Sequence, residues 1–101
     1  MSFENEIILM RKKIDDIDRQ LIELLGERFK CCLTVGNLKK RYSEPVMQPG
    51  RVKEVVTRAA AAAEPLGMSA EFASQVWELI IAEACRMEES ADQFDKVLSG
   101  A

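Results

Sequence analysis

Histidine is absent from these 101 residues. That removes the commonest general base, the commonest metal ligand and every nucleophile that relies on an imidazole. Cysteine is scarce: Cys31 and Cys32 are adjacent and Cys85 is remote, a spacing that fits neither a disulfide framework nor a zinc site. All are read as reduced, half-buried small side chains, and no metal is expected. No apolar run approaches the length that spans a bilayer, and the opening "MSFENEIILMRKK" has no basic leader before its short apolar stretch. Neither a membrane anchor nor a signal peptide is expected, and a cytoplasmic location is. A net charge of −3 and a pI near 5.0 give no electrostatic footprint for nucleic acid. No segment is of low complexity, and with 48% hydrophobic residues, five glycines and three prolines residues 1–101 read as one folded domain.

From about Glu4 to Arg41 there is no proline, and apolar residues recur at three- and four-residue steps, the period of a single long helix. Its roughly 38 residues would span about 57 Å, against about 33 Å for the diameter of a compact chain of this length. Part of its partner surface must therefore come from another chain, and a symmetric dimer is the default solution. The seam runs through Ile7, Met10, Ile14, Ile17, Leu21, Leu24, Cys31, Val35 and Leu38. "YSEPVMQPG" then breaks the helix, and Pro49 suits the first turn of a second one. That helix carries Val52, Val55, Val56, Ala59, Ala60 and Ala63 inward and stops at Glu64, before Pro65 and Gly67. Ser69 caps a third helix bearing Phe72, Val76, Ile80, Met87, Ala91 and Phe94 at helical spacing, with Trp77 as core. The β-branched residues fall inside helical periods, so the fold class is all-α, three helices per chain.

Four charges resist placement on a solvated face. Arg28 occupies the seam position between Leu24 and Cys31, where a guanidinium needs a partner. Lys39 is about 20° away on the same face and roughly 16 Å along the axis, so the two long side chains can converge on one small anion. Arg51 lies in the first turn of the second helix, where the macrodipole disfavours cations unless an anion is beside them. Glu88 follows Ile81 and Ala84 on an otherwise apolar or small stripe, a placement that predicts desolvation. The run Lys39, Lys40, Arg41 also has a plain reading as cations at a helix C-terminus. Charge placement alone leaves open an anion site or structural ion pairs such as Arg28 with Glu88.

"RKKIDDIDRQLIELLGERF", "VGNLK" and "PVMQPGRV" resemble the all-helical class of chorismate mutases, and "LIIAEACRMEE" is similar to their third helix. The resemblance runs without a gap from about Asn5 to Phe94. It implies an intertwined homodimer with two sites, each lined by Arg28, Lys39, Arg51 and Glu88 of one subunit and by Arg11 of its mate. Geometry favours the exchange independently: Arg11 and Arg28 are about 25 Å apart along one helix. An antiparallel copy crossing near residues 19 and 20 levels Arg11 of one chain with Arg28 of the other.

The implied reaction is the rearrangement of chorismate to prephenate, a concerted [3,3] shift needing no nucleophile, metal or cofactor. It needs two carboxylates clamped, for which arginines are suited, and donors aimed at the ether oxygen as negative charge grows there. Lys39 and a protonated Glu88 are the candidate donors. Arg28 and Arg11 of the mate would hold the side-chain carboxylate, and Arg51 the ring carboxylate. Three lining positions depart from the common pattern. Val52 stands where many members have a glutamate that accepts from the C4 hydroxyl, Ala84 where a serine often touches a carboxylate, and Glu88 where bacterial members commonly have glutamine. Gln48 still offers its backbone N–H. The "QPGRV" and "ACRMEE" context is also similar to members that rearrange 4-amino-4-deoxychorismate. The arginine–valine pair resembles isochorismate-pyruvate lyases, which give salicylate and pyruvate. A non-catalytic helical dimer is the reading from a different class; it gives no reason for Arg28 in the seam.

Overall fold

The computed structural model describes the backbone of residues 2–100 and the side chains of residues 2–90. The described elements are helical: α1 (Phe3–Arg41), α2 (Pro49–Ala63), a 3₁₀ turn (Glu64–Leu66) and α3 (Ala70–Gly100). Two compact units divide the chain, Met1–Cys31 and Cys32–Ala101, with the boundary inside α1.

In the first unit the start of α1 is set by local chemistry. The Ser2 hydroxyl accepts from the Asn5 amide at 3.2 Å, and Glu4 and Glu6 complement the positive end of the helix in its first turn. The seam residues form a face that nothing in the unit covers. Met10, Ile14, Ile17, Leu21 and Leu24 are 47–60% exposed, and Cys31 is exposed rather than half-buried.

The second unit contains the packed part of the protein. α1 ends with Lys39, Lys40 and Arg41 in its last turn and closes in a double hydrogen bond. The Glu44 amide donates to the Lys39 carbonyl at 2.7 Å and the Ser43 amide to that of Lys40 at 3.2 Å. This is the Schellman pattern, with the left-handed residue at the position after the cap; that residue is Ser43, at φ 56°. The end of the 3₁₀ turn repeats it with the usual residue. Gly67 is at φ 86°, its amide reaches the Glu64 carbonyl, and the Met68 amide reaches that of Ala63. Ser69 caps α3 by accepting from the Phe72 amide at 3.0 Å.

α2 and α3 pack against each other, and the buried residues of the core are small: Ala63 and Ala73 are 3% exposed and Ala84 is 5% exposed. Residues of that size let two helix axes approach closely. Val55, Val56, Ala59, Ala60, Val76, Trp77 and Ile80 are half-buried around them. Phe72, expected to point inward, is 55% exposed. With Ala73 taken into the close crossing, the neighbouring position is turned about 100° away from it. Met87 is half-buried, and the side chains of Ala91 and Phe94 lie outside the described residues.

Candidate active site

The closing loop of α1 and the stripe on α3 meet at one ion pair. The Lys39 ammonium donates to the Val46 carbonyl at 2.8 Å and to Glu88 Oε2 at 3.4 Å. The Glu88 side chain is 5% exposed and that of Lys39 19%, so the desolvation expected for Glu88 is observed. At 3.4 Å the pair is about half an ångström longer than a charge-assisted hydrogen bond. The carbonyl bond is the tighter of the two. It depends on the backbone reversal at Ser43, which turns the loop back along the helix it leaves. Two of the three N–H donors of the ammonium are thereby engaged.

Close approach of α1 and α3 accompanies the pair. A Cβ placed on Gly36 would come 2.8 Å from Cγ of Glu88 and 3.2 Å from its Cβ and Cδ. Ala84, one turn earlier on α3, is buried. Cys85 registers the same charges: burial pushes its thiol up first, the Glu88 carboxylate pushes it further, and Lys39 pulls it down. A thiol held protonated is a poor nucleophile, and the cysteine with the resolved shift is thus inert. None of the three is in a disulfide.

The other expected site residues are distributed as follows. Arg51, in the first turn of α2, is exposed and hydrogen-bonds to Glu54 Oε1 at 2.9 Å; the same oxygen accepts from Arg58 at 2.6 Å. The anion expected beside Arg51 is here a carboxylate of its own helix. Val52 is half-buried and lines a cleft of about 340 Å³ with Met47, Pro49, Val56 and Glu78. Lys39 and Glu88 are not among its walls. Gln48 is the residue before α2, half-buried, with its side-chain amide donating to the Pro45 carbonyl at 3.3 Å. Arg11 and Arg28 belong to the first unit, Arg11 exposed and Arg28 half-buried. Glu88 forms an ion pair with Lys39.

The structure therefore brings together Lys39 and Glu88 with Ala84 a turn away. Two participants were missed by sequence reasoning. The Val46 carbonyl has no side-chain signal at all. Gly36 did have one: a glycine inside a helix is a cost that asks for a reason.

A buried carboxyl beside an ammonium where α1, its closing loop and α3 meet can donate or accept at a developing charge without a metal. The chain is 34% identical over 89 residues to a 4-amino-4-deoxychorismate mutase of Streptomyces venezuelae, covering 88% of this chain and 86% of that protein. It is 32% identical over 80 residues to the protein of that name from Streptomyces pristinaespiralis, covering 79% of this chain and 62% of the relative. Against the bifunctional chorismate mutase/prephenate dehydratase of Escherichia coli the identity is 27% over 84 residues, 83% of this chain but 22% of that much longer protein. The family model described as chorismate mutase type II matches residues 10–89, a span that takes in Lys39, the loop that holds it and Glu88, and on that match the chain belongs to the type II chorismate mutases, which are intramolecular isomerases.

Proposed function

We propose that the site of this isomerase is shared between two copies of the chain and rearranges a chorismate-class dianion through the donor pair Lys39 and Glu88. The pairing of a buried Glu88 with Lys39 at 3.4 Å carries the reading. A concerted [3,3] shift asks the protein for two things. The enolpyruvyl side chain has to be held over the ring, an entropic contribution, and negative charge on the ether oxygen has to be met as the carbon–oxygen bond breaks. Lys39 has an N–H left for that oxygen beyond those given to Val46 and Glu88. Glu88, when protonated, supplies a second donor. Arg28, Arg51 and the partner subunit's Arg11 clamp the carboxylates, Arg51 by exchanging Glu54 for the substrate. That exchange is inexpensive, because an exposed ion pair contributes at most about 1 kcal/mol.

The seam of α1 supports a homodimer. Its apolar residues are exposed in the single chain, and an apolar face of that extent marks an interaction site. A second reading concerns the substituent at C4. The two relatives that are 34% and 32% identical are named for the 4-amino-4-deoxy compound, and Val52 offers no acceptor to a C4 hydroxyl. We infer that 4-amino-4-deoxychorismate is turned over at least as well as chorismate. Measuring kcat/KM with chorismate, 4-amino-4-deoxychorismate and isochorismate tests both readings. Chorismate favoured tenfold or more over the amino compound would overturn the second reading. Salicylate release from isochorismate with no rearrangement of the other two would overturn the first.

A further inference from the structure

We propose that Gly36 is a positioning residue for Glu88: the side chain it lacks is the space that lets the Glu88 carboxylate sit against Lys39. The inference rests on the reading of Lys39 and Glu88 as the donor pair. Gly36 lies inside α1, where glycine is about 1 kcal/mol less favourable than alanine. Backbone freedom does not explain it, since among the described glycines Gly67 has the positive φ. Space does. A Cβ at position 36 would stand 2.8 Å from Cγ of Glu88, well inside contact distance for two carbons. Gly26 in the same helix is the internal control, because a Cβ there would meet nothing within 4 Å.

The direction of the effect follows from what gives way. Gly36 and Lys39 are three residues apart, hence on one face of α1, and that face is the one Glu88 meets. The atoms a new methyl group would strike first belong to the stem of a side chain with rotatable bonds, not to backbone. Rotating that stem to another well moves Cγ and Cδ and carries the carboxylate away from Lys39, while the 3.2 Å approach to the Glu88 Cβ is taken up by a shift of a few tenths of an ångström. The bond from Lys39 to the Val46 carbonyl does not involve Glu88 and stays. Gly36→Ala should therefore take one donor from the site and cost the fold no more than the loss of the Lys39–Glu88 pair, which Glu88→Ala loses as well.

The test is a cycle of four proteins assayed as the full chain: wild type, Gly36→Ala, Glu88→Ala and the double variant, with Gly26→Ala alongside. Gly36→Ala should lower kcat by about 100-fold, the scale of a misplacement of about 1 Å, with KM little changed and Tm no lower than that of Glu88→Ala. Gly26→Ala should keep wild-type activity. In the Glu88→Ala background, which lacks Cγ and Cδ, Gly36→Ala should cause no further loss. The same fractional loss in both backgrounds overturns the proposal, because Gly36 then acts through something other than Glu88. A Tm below that of Glu88→Ala also overturns it and makes Gly36 a packing residue. Failure of the donor-pair reading looks different: Glu88→Ala by itself would retain full activity.

Discussion

The two parts of the chain are built from the same kind of amphipathic helix and differ in what covers the apolar face. In residues 32–90 small side chains close over one another, and Ala63, Ala73 and Ala84 are buried together with one carboxyl group, Glu88. In residues 2–31 nothing is buried, and Ile22 and Leu24 are 69% and 60% exposed. The glycines repeat the contrast: a Cβ on Gly36 would run into Glu88, whereas one on Gly26 would meet nothing within 4 Å. A region whose contacts lie within the chain can set up a donor pair by itself. The other presents its apolar surface to something else, and a second copy of the same helix is the partner we propose.

Charging the exposed face gives the largest expected effect on this comparison. On a solvated helix, Leu21→Glu would change stability by about 0.5 kcal/mol or less. At a two-fold interface it buries two unpaired carboxylates, each at a penalty of several kcal/mol. Sedimentation should then show a monomer, and kcat/KM should fall about a thousandfold or more. A variant that is still dimeric and active would mean that this face of α1 is not the interface.

Complementation sharpens the same point. Arg11→Ala and Arg28→Ala proteins should each be inactive as homodimers. A heterodimer of the two has one site with both lesions and one with neither, so an equal mixture should recover about a quarter of wild-type activity. No recovery despite demonstrated subunit exchange would argue that Arg11 does not cross over.

How much of this was legible in the sequence depends on whether the determinant is local. Pro49, the Pro65–Gly67 stop and the Ser69 cap each act within one turn, and each marks an observed boundary. The burial of Glu88 was legible too, because the residues before it on its stripe are apolar or small. Register between helices was not. Phe72 and Ala73 are equally plausible inward residues until the crossing with α2 selects the smaller one. In the single chain Arg51 pairs with the carboxylate three residues on, Glu54, a partner that the position of Arg51 in the first turn does not announce. The end of α1 at Arg41 was legible from the proline-bounded break that follows it, although the left-handed residue that turns the chain, Ser43, is not the glycine that normally signals such a turn.

That serine gives a smaller prediction, confined to the packed part of the protein. A non-glycine residue in the left-handed region carries roughly 1 kcal/mol of strain. Ser43→Gly should raise Tm by a few degrees, about 4–8 °C per kcal/mol for a domain of this size. Gly67→Ala, at φ 86°, should lower it by a similar amount. If Ser43→Gly instead lowers both Tm and activity, the serine hydroxyl is needed in the loop that holds Val46 against Lys39.

The smallest effect is the most local, and it reads the charge at the centre of the packed region. Cys85 is the thiol whose proton is held by burial first and by the Glu88 carboxylate second, with Lys39 opposing. In a Cys31→Ser, Cys32→Ser background, thiolate absorbance should titrate above the ordinary range of a cysteine. A raised folded-state value makes this contribution to stability fully present below the unfolded thiol's pKa and progressively lost as pH rises through the folded one. Tm should accordingly decline across that alkaline window more steeply than in a Cys85→Ala control. Glu88→Gln removes one cause of the shift and should move the titration down, though not to the ordinary value, because burial is the larger cause and remains. Lys39→Met removes the opposing charge and should move it up. Opposite displacements from the two variants would locate both charges at the thiol. A titration that neither variant moves would mean that the Lys39–Glu88 pair does not stand where Cys85 can feel it.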